Sequence, residues 1–547
     1  MEAGKSGFDK KTTQIAAISR EGQSFYNSGN ELEFFDWLTT RPEKFIYAHN
    51  LQYDLGNLFG FKLDSLDMVL VGGRLIRAGW RNKIFVDSFN IWPMSAAKIG
   101  SAFGLEKLTT QSMATDKEYV FRDVEIIQRA MSFAWKFCES LDIETCPATL
   151  GGLCIKVWKA LGGENCHDTS TLSREGYYGG RVELFKVCNE ELWNINASNA
   201  IYDVFSMQAS SDILHIPDKE NVCWTDINSL YPHVMRKNFP DIAVDFGKKL
   251  ADYGVARCKV KMPETAIGVL PYRDDEGKVF FPFGTFTGVW TCAELRAAQD
   301  RGGKILKVYD SIGSNDFSKP YENFVQTIYA KRLAAKTPAE NLFFKLLLNN
   351  LYGRLGAGGV IARTVMQNDR NKLQGIPYGK KVLVNYQMPL SDETNWLHAA
   401  HVTSYGRLEL LSYLELIGAD KMIYCDTDSC IFDSPNKKIP FTIGKELGQM
   451  KLESWEKCAV TFAPKMYRVT SAYKAKGVPR HLAKTFINTG HAEFELPFKM
   501  REALKFYDRN NAKRLSVWRK ISKHNKQVYD KKTLKLNRFY PCKIKAG

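Results

Sequence analysis

Two aspartates set between apolar runs constrain this chain most. In IYCDTDSCIF (423–432), Asp426 and Asp428 lie between strand-forming segments, with small polar residues around them. A spacing of two on a strand puts both carboxylates on one face. With Thr427 in a tight turn, the acids stand at a hairpin tip, where burial is avoided. Closely placed carboxylates repel each other, and a divalent cation relieves that repulsion. For an isolated DTD, a solvated surface turn is the competing reading.

A second carboxylate stands in VCWTDINSLYPHVM (222–235), where Asp226 ends an apolar strand and SLYP turns the chain into a helix start. Such an acid can hold a metal while backbone N–H groups of the turn meet phosphate. Phosphoryl transfer uses two metals about 4 Å apart with shared carboxylates, so two such sites in one chain strengthen each other. The third element is NLFFKLLLNNLYGRLG (341–356), whose Lys345, Asn349 and Tyr352 recur at helical spacing on one face. A cation, an amide and a ring so aligned suit a triphosphate, then a base and sugar. Leu346, Leu347, Leu348 and Leu351 already supply a buried face, and an ordinary core helix with incidental polar positions is the alternative.

Charge points the same way. The net charge is +16, and residues 499–545 alone hold 16 Lys or Arg against 3 acids, a balance of 16 − 3 = +13. Phe506, Tyr507, Trp518, Tyr529, Phe539 and Tyr540 are interleaved there. Cations among aromatic rings suit a polyanionic backbone, and a solubilising basic tail is the alternative.

At 547 residues the chain has room for several domains. It has no apolar run of membrane-spanning length, and its start, MEAGKSGFDKK, lacks a secretory signal's apolar stretch. The twelve cysteines contain no CxxC pair, which predicts a reducing, intracellular setting without structural zinc. Strand-like runs at 13–18, 45–48 and 83–87, with helical spacing at 120–138 and 151–162, predict an α/β domain over roughly 1–170. Strands are expected near 222–228, 254–262 and 424–432, and helices over 321–355 and 397–417. The polar, turn-rich segment 357–395 reads as an inserted hairpin outside the core.

In order, DINSLYP, KLLLNNLYG and YCDTDS resemble motifs A, B and C of the family B DNA polymerases, most closely the protein-primed branch of phages and linear plasmids. The resemblance implies two Mg²⁺ ions on Asp226 and Asp428, with Mn²⁺ able to substitute and Asp426 in support. It assigns Ser229, Leu230, Tyr231, Lys345, Asn349 and Tyr352 to the incoming nucleotide, Tyr231 excluding a 2′-hydroxyl, with Lys331 or its neighbour Arg332 as a further cation. The family's motif B carries Ser where this chain has Asn350, which implies altered template contacts. Lys465 and Tyr467 of APKMYRV, Lys476 (with Lys474) of YKAKGVP, Gly353, and Tyr177, Gly179 and Gly180 of GYYGGR match DNA-contacting elements.

The N-terminal part resembles a proofreading 3′–5′ exonuclease of the ribonuclease-H-like fold. AHNLQYD supplies Asn50 and Asp54, YVFRD supplies Tyr119 and Asp123, and VDSFNIW matches a single-strand-binding element through Ser88. Glu2 falls where the first motif's Glu belongs, and the Asp before it would precede Met1. Weak or absent proofreading, or a natural start further upstream, is the expectation.

The implied fold class is α/β multidomain, an exonuclease-like domain followed by a right-hand palm, fingers and thumb. Expected boundaries are 1–170 exonuclease-like, 171–190 connector, 191–282 palm, 283–320 first insertion, 321–356 fingers, 357–395 second insertion, 396–480 palm and 481–547 basic thumb. The expected activity is template-directed addition of dNTPs to a primer, in protein-primed replication of a viral or linear-plasmid genome. Expected partners are template and primer DNA, dNTPs and a terminal protein, with the chain monomeric and away from membranes. A primer-independent or repair polymerase of the same family, or an inactive DNA-binding relic, are the alternatives.

Overall fold

Alternating apolar residues build the sheets of this protein, and helices with one apolar stripe cover them. The computed structural model describes residues 14–28, 31–108, 116–164, 167–186, 219–358, 360–366, 374–378, 380–387, 390–497, 499–505, 518–524, 532–535 and 538–544. Glu2 lies outside the described residues, as do Phe506, Tyr507 and Tyr529 of the basic segment. The chain forms two compact units. The first comprises Met1–Gly163, Gln326–Ser391 and Glu495–Arg519, the second Glu164–Val325, Asp392–Phe494 and Lys520–Gly547. No described helix is long and apolar enough to cross a membrane.

The first unit is organised on a seven-stranded sheet, in the order Ile376–Tyr378, Lys381–Gln387, Val360–Met366, Asp67–Val71, Arg74–Trp80, Lys83–Asp87 and Phe45–Ala48. Only the last neighbouring pair is parallel. Leu51, Leu55 and Phe59 recur along one face of the helix Leu51–Phe59 and enter the same core as Leu70, Leu75 and Phe85. The strands at 45–48 and 83–87 match the alternation in the sequence, and the helix predicted near 120–138 spans Asp116–Glu139.

Segment 357–395 corrects an expectation. It is a hairpin, but it belongs to the core: Ala362 pairs with Leu70, and Ala362, Tyr378 and Leu383 are buried among the N-terminal apolar side chains. Its polar residues masked an alternation that places one face inward. Lys381, 6% exposed, secures the join by donating to the Leu66 carbonyl and to Asp67. The helical pattern over 321–355 is likewise two helices, Glu322–Leu333 and Pro338–Leu355. Thr337 caps the second through its side chain, and Pro338 suits the first turn while ending any continuous helix.

The second unit contains two five-stranded sheets. One runs Met450–Glu456, Val222–Ile227, Ser429–Asp433, Met422–Asp426 and Val182–Leu184, wholly antiparallel. The other runs Val244–Asp245, Lys304–Ser314, Tyr253–Met262, Phe283–Thr291 and Lys543–Ile544. Segment 283–320, expected as an insertion, is integral to this second sheet: Phe286, Val289, Trp290 and Leu295 are buried. The helix Trp396–Ile417 is buried almost all round in its first three turns, as a helix enclosed by protein must be.

Candidate active site

Asp226 lies on one strand and Asp428 in the turn just before its neighbour. Val222–Ile227 and Ser429–Asp433 pair antiparallel with Asp226 opposite Ser429, and the Ile227 N–H donates to the Asp428 carbonyl at 2.7 Å. Buried Ile423, Tyr424 and Cys425 on one arm, and Cys430, Ile431 and Phe432 on the other, fix the hairpin in the sheet. Its tip is the tight turn expected at Thr427, which adopts φ 62°. The Asp428 N–H reaches the Asp426 carbonyl at 2.7 Å, and the Thr427 N–H donates to the Arg181 carbonyl at 2.7 Å.

The three acids differ in what they have left to offer. Asp426 accepts from the Tyr424 hydroxyl (3.2 Å), the Thr427 hydroxyl (3.1 Å) and Lys465 Nζ (3.0 Å), so its oxygens serve to hold neighbours. Lys465 itself adopts φ 62°. Burial, then the charges of Asp226 and Asp426, push Asp428 up to about 7. This clustered negative charge favours a cation. Among the described residues no three His, Cys, Asp or Glu side chains converge as a complete metal cage. Two carboxylates such as Asp226 and Asp428 are still enough for a divalent ion that completes its shell with water and ligand oxygens.

Tyr231 follows in the short helix Leu230–Val234, entered through Ser229 in the left-handed region at φ 51°. Leu230 is buried and anchors this turn. The Tyr231 ring lies beside Gly406, and its hydroxyl would meet a β-carbon on Gly180 at 2.9 Å. The connector is therefore part of this centre. Gly180 lies equally close to Thr427 at the hairpin tip, whereas Gly179 has open space. Arg407, on the helix Trp396–Ile417, donates to the carbonyls of Tyr178 (3.0 Å) and Gly179 (2.6 Å), and Arg273 donates to that of Tyr177 (3.0 Å).

Tyr467, expected beside a primer, is 8% exposed and packs against Tyr424 at 5.0 Å between ring centroids. Lys474 and Lys476 are exposed, and the Lys476 N–H donates to the Lys465 carbonyl. Lys345 and Asn349 are exposed on Pro338–Leu355, opposite buried Phe343, Phe344, Leu347 and Leu348, with Tyr352 half-buried. Leu346 is half-buried rather than part of the buried face. This helix belongs to the first unit, as does Lys331, which is exposed beside half-buried Arg332. Asn350 turns its amide back to the Leu346 carbonyl at 2.7 Å. Gly353 has open space around it.

The first unit carries the exonuclease-like residues around a cavity of about 3000 Å³ lined by His49, Asn50, Asp54, Asp87, Tyr119 and Asp123. Asn50 adopts φ 63°. Burial, then the charge of Asp87, pushes Asp54 up to about 7. The helical spacing of Tyr119 and Asp123 is realised: Lys107 Nζ lies 2.8 Å from Asp123 and 5.3 Å from the centre of the Tyr119 ring. Ser88 is 1% exposed, donates to the Ala48 carbonyl at 3.1 Å and lies 3.1 Å from His49 Nδ1.

Sequence reasoning missed Asp87, Lys107, Glu294, Arg407, Lys451 and Glu453. Asp87 accepts from the N–H groups of Asn50 and Phe89 (both 3.0 Å) and thereby fixes the turn before Asp54. Only strand register could have flagged Lys451, which faces Asp226 from the next strand.

A family profile described as DNA polymerase type B, organellar and viral, matches residues 211–374. A protein of Ascobolus immersus named as a probable DNA polymerase is 30% identical over 280 residues, 46% of this chain and 23% of that protein. The DNA-directed DNA polymerase of Enterobacteria phage PRD1 is 25% identical over 434 residues, 73% of this chain and 69% of its own length. The chain thus spans about a quarter of the fungal relative. Among solved structures, phi29 DNA polymerase in an orthorhombic crystal form shares the fold at a TM-score of 0.62 and 16% identity, over 87% of this chain and 93% of that one. The phi29 ternary complex with primer-template DNA and incoming nucleotide gives 0.61 and 16% over 90% and 97%. By profile and relatives the chain is similar to the family B DNA polymerases of organelles and viruses, and it shares the fold of phi29 DNA polymerase.

Proposed function

We propose that the chain is a DNA-directed DNA polymerase whose centre is the Asp226–Asp428 pair. The observation that carries the reading is the strand pairing that seats Asp226 against the Asp428 hairpin, with Asp428 pushed up to about 7 by burial and by its fellow acids. Two Mg²⁺ ions, or Mn²⁺ in their place, would sit on these carboxylates and supply charge neutralisation and a more acidic primer hydroxyl. The primer 3′-oxygen forms a bond to the α-phosphorus, the bond to the β-phosphate oxygen breaks, pyrophosphate leaves, and the hydroxyl proton passes to solvent. Asp426 holds Lys465 and Tyr424, giving the hairpin tip one orientation. Tyr231, packed between Gly180 and Gly406, is the group for sugar selection; nucleotide binding by Lys345, Asn349 and Tyr352 of the first unit is supported by the motif resemblance.

Protein priming is the preferred mode, supported by similarity to the phage PRD1 enzyme over most of both chains. The exonuclease-like half, around Asp54, Tyr119 and Asp123, belongs to the same reading as a proofreading unit. Primer extension from matched and mismatched 3′ ends tests both halves. Extension that needs Asp226 and Asp428 is expected, and an Asp428→Asn chain extending at the wild-type rate would refute the assignment. Supplying terminal protein with a bare template tests the priming mode.

A further inference from the structure

The register of the carboxylate sheet sets a lysine opposite one of the two metal-holding acids. Met450–Glu456 pairs with Val222–Ile227 so that Lys451 faces Asp226 directly, on the same side of the sheet. Lys451 Nζ lies 3.3 Å from Asp226 Oδ1 and 2.5 Å from Glu453 Oε1. The side chains of Lys451, Asp226 and Glu453 are 40%, 27% and 38% exposed, so the ammonium stands at the open edge of the site. Asp226 therefore shares its charge with a cation that the protein itself supplies. Asp426 has such a cation in Lys465 at 3.0 Å, and Asp426 is held further by the Tyr424 and Thr427 hydroxyls. The Lys451 pair is looser, with a second carboxylate on hand to take the ammonium.

We propose that Lys451 is a positioning residue that competes with the divalent ion for Asp226, with Glu453 as the alternative seat for its ammonium. It holds the Asp226 carboxylate in place and offsets its charge before metal arrives. It then sets how much metal the enzyme needs, because a fixed positive charge beside the site opposes a second cation. The proposal rests on the polymerase reading of Asp226.

Direct Mn²⁺ binding to the full chain, followed by the loss of free-ion paramagnetic resonance signal without DNA or dNTP, separates the two. Asp226→Asn should remove one Mn²⁺ site. If it does not, the metal assignment itself fails. With that site defined, Lys451→Gln should tighten it roughly five- to tenfold, as expected for deleting a nearby partly screened charge. Lys451→Arg should restore weaker binding, and Lys437→Gln, which breaks a pair with Glu220, should change nothing. The Mg²⁺ concentration giving half-maximal extension should fall in Lys451→Gln by a similar factor. Unchanged or weaker Mn²⁺ binding in Lys451→Gln would overturn the proposal. A raised KM for dNTP with unaltered Mn²⁺ affinity would overturn it too, by making Lys451 a triphosphate contact.

Discussion

Arg407 and Glu294 form an ion pair inside the second unit, Nε to Oε1 at 2.8 Å, with side chains only 2% and 1% exposed. Glu294 also closes a capping box with Thr291, whose hydroxyl meets Ser404. Arg407 spends another nitrogen on the carbonyls of Tyr178 and Gly179. The pair thus fastens the connector to the helix Trp396–Ile417. Arg407→Met is expected to leave Glu294 buried without its partner and to cost about 3–5 kcal/mol. Arg407→Lys should recover only part of this, since an ammonium cannot reproduce the guanidinium fork. Urea unfolding of the full chain measures both, and a loss under about 1 kcal/mol for Arg407→Met would refute the account.

Gly179 and Gly180 are adjacent in sequence and opposite in consequence. A β-carbon on Gly180 would stand 2.8 Å from both the Thr427 methyl and hydroxyl and 2.9 Å from the Tyr231 hydroxyl. Gly180→Ala must therefore shift the hairpin tip or the tyrosine, and misplacement of about 1 Å near reacting groups can cost roughly 100-fold in rate. Gly179→Ala meets nothing and should extend primers normally. Steady-state extension by the two variants decides it; equal activities would remove the connector from the centre.

Asp426 and Asp428 share a turn but not a role. With Asp426 bound to Lys465, Tyr424 and Thr427, Asp426→Asn should lower extension on the order of tenfold, in line with one lost charge-assisted hydrogen bond. Asp428→Asn removes a carboxylate of the proposed metal pair and should cost more than about 1000-fold, the scale of charge stabilisation at a phosphoryl centre. Single-turnover extension at saturating Mg²⁺ would expose similar losses in both, and so a shared role.

Much of this was legible because local pattern and tertiary role coincide there. The alternation around Asp426 and Asp428 marks a hairpin with its turn at Thr427, although Asp428 is more buried there than an exposed tip would leave it. The stripe of Lys345 and Asn349 opposite Phe343 and Leu347 is a property of helical spacing alone. Pairing between distant strands has no such local signature. Nothing near Ala362 announces Leu70 as its neighbour, and nothing near Lys451 announces Asp226. Ser88 is a similar case: nothing near it announces the Ala48 carbonyl as its partner.

Two buried histidines on the helix Trp396–Ile417 should make the second unit sensitive to acid. Burial lowers His398 to about 4 and His401 to about 3. His398 is satisfied as a neutral ring, between the Tyr321 hydroxyl (2.7 Å) and the Pro240 carbonyl (2.8 Å). His401 Nδ1 meets the Leu397 carbonyl at 2.8 Å, while its Nε2 is buried without a partner. Both rings take up protons in the unfolded chain near pH 6.5 but in the folded one only near 4 or below, so their contribution is present above about 6.5 and lost as pH falls. Once protonation is complete the loss is on the order of 3 kcal/mol for His398 and about 5 kcal/mol for His401. Asp54 and Asp428, both raised to about 7, act in the opposite sense over the same window, so the wild-type slope alone is a difference of terms. Comparing His401→Leu with wild type cancels the carboxylates. The variant fills similar volume, removes the unpartnered nitrogen and should match wild type within about 1 kcal/mol at pH 7.5. Below pH 6 it should become progressively the more stable of the two in urea unfolding. Parallel stability curves from pH 7.5 to 4.5 would mean that His401 protonates as readily folded as unfolded, contrary to its burial.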